Sequence, residues 1–357
     1  MTSDNDSSAV RAGEELDLAA LQGYLANHLP AALSAEVAQL QIEQFPGGHS
    51  NLTYLIRYGK QEFVLRRPPV GPVAPTAHDM PREYKLLSVI NPFFPLAPKP
   101  VLLCEDPDVI GVPFFLMERR RGFIVRSKMP AGITDDDSMR TRLSEAVVDT
   151  LIELHAVDIN STGIINIGKP AGFVERQVRG WAQRWQRSKT GDLPEMDAVV
   201  EWLNERIPGE AELDPRIVHN DFKLDNLMFD FSNPSRVVAV LDWEMSTVGD
   251  PLIDVGLALT YWTMSGGGSS SLRAITHGPG WFTREQFISR YEAKTGRDLT
   301  GIVFYETFAR FKVAVVIQQI YFRYVQGQTQ DERFRSLDGL VLSLAREAIQ
   351  LAQQSRL

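Results

Sequence analysis

The chain has 357 residues, of which 44% are hydrophobic and 23% charged, so it is long enough for two globular domains. Its formal charge of −8 offers no basic excess to neutralise phosphates, and we expect no nucleic-acid partner. The acidic N-terminus lacks the features of a secretory signal, and no apolar run is long enough to span a bilayer. With Cys104 as the single cysteine, we expect a cytoplasmic protein without a membrane partner; composition leaves the oligomeric state open.

The N-terminal third predicts a helix followed by a β-hairpin. Apolar residues recur at helical spacing from Leu16 to Leu33, and they alternate over Leu52–Tyr58 and Phe63–Arg66. A glycine-rich turn at Pro46–Asn51 precedes the hairpin. In a nucleotide site such a turn brings backbone N–H groups, and here the Ser50 hydroxyl, close to phosphate oxygens. A plain hairpin loop is the alternative.

The second strand ends in two arginines that face opposite sides. Arg66 shares a face with Val64 and is the candidate cation for a phosphate site, whereas Arg67 is assigned to the surface. A helix is predicted over Met80–Ile90, with Glu83 on its otherwise apolar stripe. Because a buried carboxylate needs a partner, we expect an ion pair between Glu83 and Arg66. A solvated helix charge is the alternative.

The middle of the chain predicts strands over Pro98–Leu103 and Val112–Met117, then an amphipathic helix over Met139–Val157. A basic helix follows, in which Trp181 and Trp185 share one face. Five basic residues surround these tryptophans: Arg176, Arg179, Arg184, Arg187 and Lys189. In an acidic chain this helix is a candidate docking surface for an anionic substrate, and a solvated structural helix is the alternative.

The most specific stretch reads IVHNDFKLDNLMFD and begins at Ile217. Its polar residues have the order and spacing of a phosphoryl-transfer catalytic loop, His-x-Asp-x-Lys-x-x-Asn: His219, Asp221, Lys223 and Asn226. Such a four-residue pattern arises by chance about once in 10⁵ start positions, so a surface loop is the much weaker alternative.

Each residue type in this stretch suits one part of phosphoryl transfer. Asp221 can orient and deprotonate a hydroxyl nucleophile, while Lys223 offsets charge near the transferred group. Asn226 and Asp242, which ends an apolar run, supply oxygen ligands for Mg²⁺. His219 is expected to brace the loop backbone.

The segment after Asp242 limits the class of acceptor. Asp254 opens a predicted helix that extends to Trp262, and its carboxylate is placed to accept backbone hydrogen bonds from the catalytic loop. Only twelve positions separate Asp242 from Asp254. A long activation segment with a peptide-docking platform does not fit there, which favours a small-molecule acceptor.

Two sets of motifs carry a family resemblance. HNDFKLDN and LDWEMSTVGDPLIDVG resemble the aminoglycoside phosphotransferase and choline kinase superfamily, whose fold is protein-kinase-like. GGHSNLTYLI, FVLRRPP and PREYKLL further resemble the phosphotransferase domains that accompany acyl-CoA dehydrogenases. The resemblance implies a bilobal α+β fold. Residues 1–118 would form a small lobe with an antiparallel sheet plus helix, and residues 119–357 a larger, mainly helical lobe with the catalytic loop.

The resemblance also implies ATP and Mg²⁺ as cofactors. By position, Asp221 is the base, and Asn226 and Asp242 hold magnesium. The nucleotide-binding set would be the following: Ser50, Arg66 and Glu83 at the phosphates, and backbone groups around Glu118 and Arg119 at the adenine. Arg66 stands where the family usually has lysine, and the two are not equivalent in shape or hydrogen bonding.

The sequence therefore predicts an ATP-dependent kinase acting on a hydroxyl of a small molecule. The basic helix favours an anionic or acyl acceptor such as a hydroxyacyl-CoA. Two alternatives remain open, an aminoglycoside kinase and a nucleotide-binding pseudokinase with a regulatory role, for which Arg66 is the one favourable feature. The glycine- and serine-rich segment Ser265–Ser271 is expected to be either a lid or a simple loop.

Overall fold

The computed structural model describes residues 6–30, 33, 39–46, 51–69, 78–209, 214–264 and 274–355. The chain forms two compact units, Met1–Phe123 with Val238–Glu244, and Ile124–Val237 with Met245–Leu357. The segment that carries Asp242 is therefore part of the first unit, although it follows the catalytic loop in sequence. Ser50 and Ser265–Ser271 lie outside the described residues.

The first unit contains a five-stranded antiparallel sheet in the order β1-β2-β3-β5-β4. The strands are β1 (Leu40–Gln44), β2 (Leu52–Tyr58), β3 (Gln61–Arg67), β4 (Pro100–Cys104) and β5 (Phe114–Glu118). The helices are α1 (Leu18–His28), α2 (Met80–Ile90) and the short α3 (Pro107–Ile110). The predicted hairpin and the predicted helix over Met80–Ile90 are both confirmed.

One face of this sheet is covered by the N-terminal residues. Leu21 and Leu25 of α1 pack in one hydrophobic core with Tyr54 and Leu65. Arg67 shares the Leu65 side of β3, and it is only 7% exposed. The assignment of Arg67 to the surface is therefore wrong, because the covering of that face depends on tertiary packing that alternation along β3 does not reveal.

Helix α2 brings Glu83 to the buried side of the first unit. Asp79 caps the helix by accepting a hydrogen bond from the Arg82 N–H at 2.9 Å, and Pro81 lies in the first turn. Glu83 lies on the same buried stripe as Leu87 and is 2% exposed. The helix therefore holds a carboxylate inside an apolar environment.

The second unit is mainly helical. Its helices are α4 (Asp137–His155), α5 (Phe173–Ser188), α6 (Pro194–Glu205), α7 (Leu252–Thr263), α8 (Arg284–Thr295), α9 (Ile302–Val325) and α10 (Leu337–Gln354). The short strands of the remaining chain are β6 (Phe123–Ile124), β7 (Arg216–Val218), β8 (Leu227–Phe229), β9 (Val237–Val240) and β10 (Thr247–Gly249). The α+β class predicted from the sequence is confirmed.

The strands β7 and β8 fix the two ends of the catalytic loop. Strand β7 pairs with β10 in an antiparallel arrangement, and β8 begins directly after Asn226. Helix α9, the longest in the described ranges, packs against α5, α7 and α10. No helix in the described part of the chain combines the length and the hydropathy needed to cross a bilayer.

Candidate active site

A buried carboxylate from α7 holds the start of the catalytic loop. Asp254 is fully buried, and its Oδ2 and Oδ1 accept hydrogen bonds from the backbone N–H groups of His219 at 2.6 Å and Asn220 at 2.7 Å. Asn220 has a φ of +64°, a left-handed conformation that costs energy for a residue other than glycine. The two hydrogen bonds help to hold this conformation, and they are those expected of Asp254 from the sequence.

His219 braces the loop from inside. Its Nδ1 accepts a hydrogen bond from the Asp221 N–H at 3.3 Å, and its carbonyl accepts one from the Ser246 hydroxyl at 3.1 Å. The imidazole is completely buried. A buried ring that bonds to its own loop orients the backbone of Asp221.

The side chains of Asp221, Lys223 and Asn226 meet in the second unit. The Lys223 ammonium donates to Asp221 Oδ2 at 2.8 Å. The Asn226 amide nitrogen donates to Asp221 Oδ2 at 2.9 Å and to the Asp221 carbonyl at 2.8 Å. Because the NH₂ end of Asn226 faces Asp221, its amide oxygen is turned away and is the atom suited to a cation.

Tyr261 of α7 completes this cluster. Its ring centroid lies 5.0 Å from the Lys223 ammonium, within the range of a cation–π contact. Burial raises the pKa of the Tyr261 hydroxyl, and the neighbouring Asp221 carboxylate raises it further. Burial works against the charge of Lys223, but Tyr261 and Asp221 outweigh it and raise the Lys223 pKa. Lys223 is therefore a permanent cation beside Asp221.

A second cluster lies in the first unit, around Arg66. The Arg66 Nε is 3.3 Å from Glu83 Oε1, and its Nη2 donates to Asp242 Oδ1 at 3.0 Å. Asp242 has a φ of +69°, so it is a second non-glycine residue held in the left-handed region. The Arg66–Glu83 ion pair expected from the sequence is present, and it also includes Asp242.

Burial dominates the protonation of Glu83. Burial raises the pKa of this carboxyl to about 7, although the Arg66 guanidinium lowers it in part. Within the described residues Glu83 Oε2 has no hydrogen-bond partner, which adds to the cost of the charged form. Burial likewise opposes the charge of Arg66, but Glu83 and Asp242 outweigh it and raise the Arg66 pKa.

The raised pKa of Glu83 predicts a pH-dependent effect of Glu83→Gln on stability. The folded state keeps the Glu83 proton above the pH at which the unfolded chain loses it. The contribution of Glu83 to stability is therefore present below about pH 4.5 and falls as the pH rises to about 7. Relative to Glu83→Gln, the wild type should lose roughly 1–3 kcal/mol across this window. Urea unfolding of both proteins at several pH values measures the difference.

The matched control for this experiment is Glu201→Gln, which removes an exposed carboxylate from α6 in the second unit. A constant difference in unfolding free energy between the wild type and Glu83→Gln from pH 4.5 to 7 would contradict the raised pKa.

Three residues next to the Arg66 cluster were not predicted. The Asn51 amide donates to Glu244 Oε2 at 2.8 Å, and Asn51 Oδ1 lies 2.8 Å from His78 Nδ1. His78 itself has a φ of +59°. The only sequence signals were the position of Asn51 at the end of the glycine-rich turn and of Glu244 two residues after Asp242.

The other two described residues predicted to bind the nucleotide, Glu118 and Arg119, lie at the end of β5. The Glu118 carboxylate accepts a hydrogen bond from the Lys99 N–H at 2.6 Å and pairs with Arg120. Arg119 pairs with Asp6 at 2.8 Å. Both side chains are thus engaged within the first unit, and a role in adenine binding depends on the backbone of this segment.

The donor chemistry fits magnesium. Asp242 in the first unit offers a carboxylate and Asn226 in the second unit an amide oxygen, and each is a hard donor of the kind that Mg²⁺ takes. The described ranges contain no group of three or more His, Cys, Asp or Glu side chains arranged to hold a metal. In kinases Mg²⁺ keeps several waters and is bound through one or two protein groups together with substrate phosphates.

Comparison with known proteins decides the family. The sequence profile of the phosphotransferase enzyme family named APH matches residues 41–287. The chain belongs to this phosphotransferase family. Membership supports the transfer of phosphate to small molecules, and the antiparallel sheet and the helical unit agree with the protein-kinase-like fold of the family.

The chain has sequence relatives in larger proteins. Acyl-CoA dehydrogenase family member 11 of Rattus norvegicus is 34% identical over 98% of the chain, and IBR3 of Arabidopsis thaliana, described as a probable acyl-CoA dehydrogenase, is 28% identical over 92%. The chain spans 45% of the length of the first protein and 42% of the second.

Solved structures of an aminoglycoside phosphotransferase and of a choline kinase have the same fold. A Ralstonia eutropha protein assigned to the aminoglycoside phosphotransferases is 29% identical, with a TM-score of 0.81 over 96% of this chain and 100% of that one. Choline kinase of Cryptosporidium parvum has a TM-score of 0.62 at 11% identity, over 93% of this chain and 96% of that one. The second likeness concerns the fold alone.

Proposed function

We propose that this protein is an ATP- and Mg²⁺-dependent phosphotransferase that transfers the γ-phosphate to a hydroxyl of a small anionic or acyl-CoA-type compound. The observation that carries the proposal is the cluster of Asp221, Lys223 and Asn226 on a loop that Asp254 and His219 hold from behind. A carboxylate beside a fixed cation on a rigid backbone is what phosphoryl transfer to an alcohol requires.

In the proposed reaction the chain positions and deprotonates the acceptor. Asp221 accepts a hydrogen bond from the acceptor hydroxyl and takes its proton as the new O–P bond forms. The bond between the γ-phosphorus and the β–γ bridging oxygen breaks at the same time, and ADP leaves. Lys223 offsets the negative charge that gathers on the transferred group. Asn226 and Asp242 would hold Mg²⁺, which when bound neutralises charge on the phosphates.

The nucleotide-binding residues are proposed on the same basis. Arg66, kept charged by Glu83 and Asp242, would contact the phosphates, and the Ser50 hydroxyl would join it. Backbone groups around Glu118 and Arg119 would contact the adenine. A thermostable mutant of aminoglycoside phosphotransferase APH(4)-Ia, with a TM-score of 0.58, was crystallised with ADP and hygromycin B, which supports nucleotide use.

The preference for an anionic acceptor rests on the basic helix α5. The exposed Arg184 guanidinium lies 4.6 Å from the Trp181 ring centroid, and the Lys312 ammonium lies 5.4 Å from the same centroid. Lys312 in turn bonds to the Asn220 carbonyl of the catalytic loop. The positive surface of α5 is therefore connected to the loop that carries Asp221, and a polycationic aminoglycoside would be repelled there.

The names of the relatives point to the same class of acceptor. The rat and mouse proteins, 34% and 35% identical to this chain, are members of the acyl-CoA dehydrogenase family. Acyl-CoA thioesters carry several phosphate charges, which would suit the arginines of α5.

A transfer assay with [γ-³²P]ATP across a panel of acceptors tests this function. We expect phosphate transfer to a hydroxyacyl-CoA and none to the matching acyl-CoA without the hydroxyl. Transfer to kanamycin or hygromycin B alone would favour the aminoglycoside kinase. Binding of Mg-ATP without transfer to any acceptor would favour the pseudokinase.

The double variant Arg184→Gln/Arg187→Gln tests the basic helix. Because both guanidinium groups are exposed, the KM for the anionic acceptor should rise by about three- to tenfold, with the KM for ATP unchanged. Steady-state kinetics in low salt measure both constants. Arg346→Gln on α10 is the matched control, and an unchanged acceptor KM in the double variant would remove the basic helix from the acceptor site.

A further inference from the structure

A lysine from α9 is buried directly behind the catalytic loop. Lys312 is 3% exposed, and its ammonium donates a hydrogen bond to the Asn220 carbonyl at 2.6 Å. Within the described residues it forms no ion pair. A buried cation that bonds to a backbone carbonyl and lacks a carboxylate partner costs stability, so a role in folding alone does not account for it.

The hydrogen bond acts on the peptide bond that carries Asp221. The Asn220 carbonyl and the Asp221 N–H belong to the same planar unit. Lys312 holds the carbonyl at 2.6 Å, and His219 Nδ1 accepts from the N–H at 3.3 Å. With the Asn220 N–H bound to Asp254 Oδ1, rotation of this unit would break contacts on both of its sides. Because the plane of the Asn220–Asp221 peptide bond is held in this way, the direction in which the Asp221 side chain leaves the backbone is held too.

Groups that stabilise and groups that oppose the charge of Lys312 both lie close to its ammonium. The ammonium lies 5.4 Å from the Trp181 ring centroid, which offers a cation–π contact. Burial lowers the pKa of Lys312 to about 8. The charged groups that face it are Asp221 and Lys223 on the loop, Asp254 on α7 and Arg184 on α5; the carboxylates raise the pKa and the cations lower it.

We propose that Lys312 is a positioning residue for phosphoryl transfer, whose ammonium fixes the Asn220–Asp221 peptide bond and thereby aims the Asp221 carboxylate at the acceptor hydroxyl. The proposal rests on the proposed function in that Asp221 is taken as the base. Lys312 lies 91 positions after Asp221, in the C-terminal half of the chain. The proposal therefore gives a residue outside the catalytic loop a part in positioning that loop.

Lys312→Met removes the donor and the charge while keeping much of the volume. The kcat should fall by about 10- to 100-fold because Asp221 is no longer held in direction, while KM for ATP and for the acceptor stay within about twofold. Lys294→Met on α8 is the matched control, since it removes an exposed lysine of the same unit, and should keep the wild-type kcat. A kcat for Lys312→Met within twofold of the wild type would overturn the proposal.

The pH dependence separates positioning from simple packing. The wild-type kcat should decline with an apparent pKa near 8 as Lys312 loses its proton, and Lys312→Met should lack this decline. In Lys312→Arg the decline should move above about pH 10, because a guanidinium stays protonated there. The same alkaline decline in Lys312→Met as in the wild type would overturn the proposal.

As the pH rises, the unfolding free energy of the wild type relative to Lys312→Met should change in the direction opposite to kcat. Because the folded-state pKa lies below that of an unfolded lysine, the wild type should gain unfolding free energy relative to Lys312→Met between about pH 8 and about pH 10.5. Activity therefore falls over a range in which stability rises. The methionine variant should be at least as stable as the wild type at pH 7, so a loss of kcat cannot be attributed to unfolding.

Amide hydrogen exchange tests the geometry without an acceptor. In Lys312→Met the Asp221 amide should exchange about tenfold faster than in the wild type and in Lys294→Met, while amides in the middle of α9 stay unchanged. Unchanged exchange at Asp221 would overturn the proposal. If no acceptor is phosphorylated by the wild type, the proposed function fails, and this measurement still decides whether Lys312 holds the loop.

Discussion

Asp221→Asn should lower phosphoryl transfer by about 10²- to 10⁴-fold, which is the contribution usual for a positioned general base. Asparagine has nearly the same shape, and its oxygen can still accept from Lys223 and Asn226, which now donate to Asp221 Oδ2 at 2.8 and 2.9 Å. It cannot take the proton of the acceptor hydroxyl. The loop should therefore keep its structure while the chemical step is lost. Single-turnover transfer from [γ-³²P]ATP measures that step directly.

The matched control is Asp225→Asn, which changes an exposed carboxylate four positions further along the same loop. It should keep the rate within about threefold of the wild type. Binding of Mg-ATP, followed by calorimetry, should be similar in both variants. An Asp221→Asn protein that transfers phosphate at the wild-type rate to its true acceptor would exclude Asp221 as the base.

Local patterns were sufficient to predict several elements of the first unit, although β1 and α3 were not predicted. The predicted helix over Met80–Ile90 has the observed bounds, and the hairpin strands agree within two residues. Both depend on signals that are short in sequence: proline in the first turn of the helix, and alternation interrupted by a glycine turn. The spacing of the catalytic loop was equally local, and Asp221, Lys223 and Asn226 do meet in the structure.

Contacts that depend on packing could not be read in this way. Alternation correctly separated Arg66 from Arg67, but it could not show that the N-terminal residues cover the Arg67 side of the sheet. Lys312 stands in an apolar helical run, FYETFARFKVAVVIQ, where a lysine is unusual. The apolar neighbours indicate that Lys312 is buried, but they do not identify the group that its ammonium contacts. Its contact with Asn220 spans 92 positions of sequence, and only the fold reveals it.

The two clusters share a physical principle. In each, a non-glycine residue with positive φ carries or adjoins a carboxylate of the proposed site: Asn220 precedes Asp221, and Asp242 is itself strained. Such conformations persist only where the surroundings fix them, and here those surroundings are buried charged groups. Asp254 and Lys312 hold Asn220, while Arg66 holds Asp242. Buried charge in this protein therefore serves geometry at the cost of stability.

Asp254→Asn should show most directly how a buried charge affects both stability and the geometry of the loop. An asparagine keeps one acceptor oxygen, but its NH₂ group must then face either the His219 or the Asn220 N–H, two donors that now bond to the carboxylate at 2.6 and 2.7 Å. One buried backbone donor is left unsatisfied, which should cost about 1–3 kcal/mol of unfolding free energy. As the loop shifts, the kcat should fall by about 10- to 100-fold. Urea unfolding and steady-state kinetics measure the two effects.

Asp250→Asn is the control that separates these two effects. Asp250 is buried at the start of the same helix, where it accepts hydrogen bonds from the Tyr305 hydroxyl at 2.5 Å and the Leu252 N–H at 2.9 Å, away from the catalytic loop. In this variant the amide can still accept from the Leu252 N–H and can donate to the Tyr305 oxygen, so stability should fall less than in Asp254→Asn and kcat should stay within about threefold. If Asp254→Asn kept the same kcat as Asp250→Asn, Asp254 would be a structural carboxylate without influence on Asp221. A selective loss of kcat in Asp254→Asn instead means that the carboxylate acts through the position of the loop.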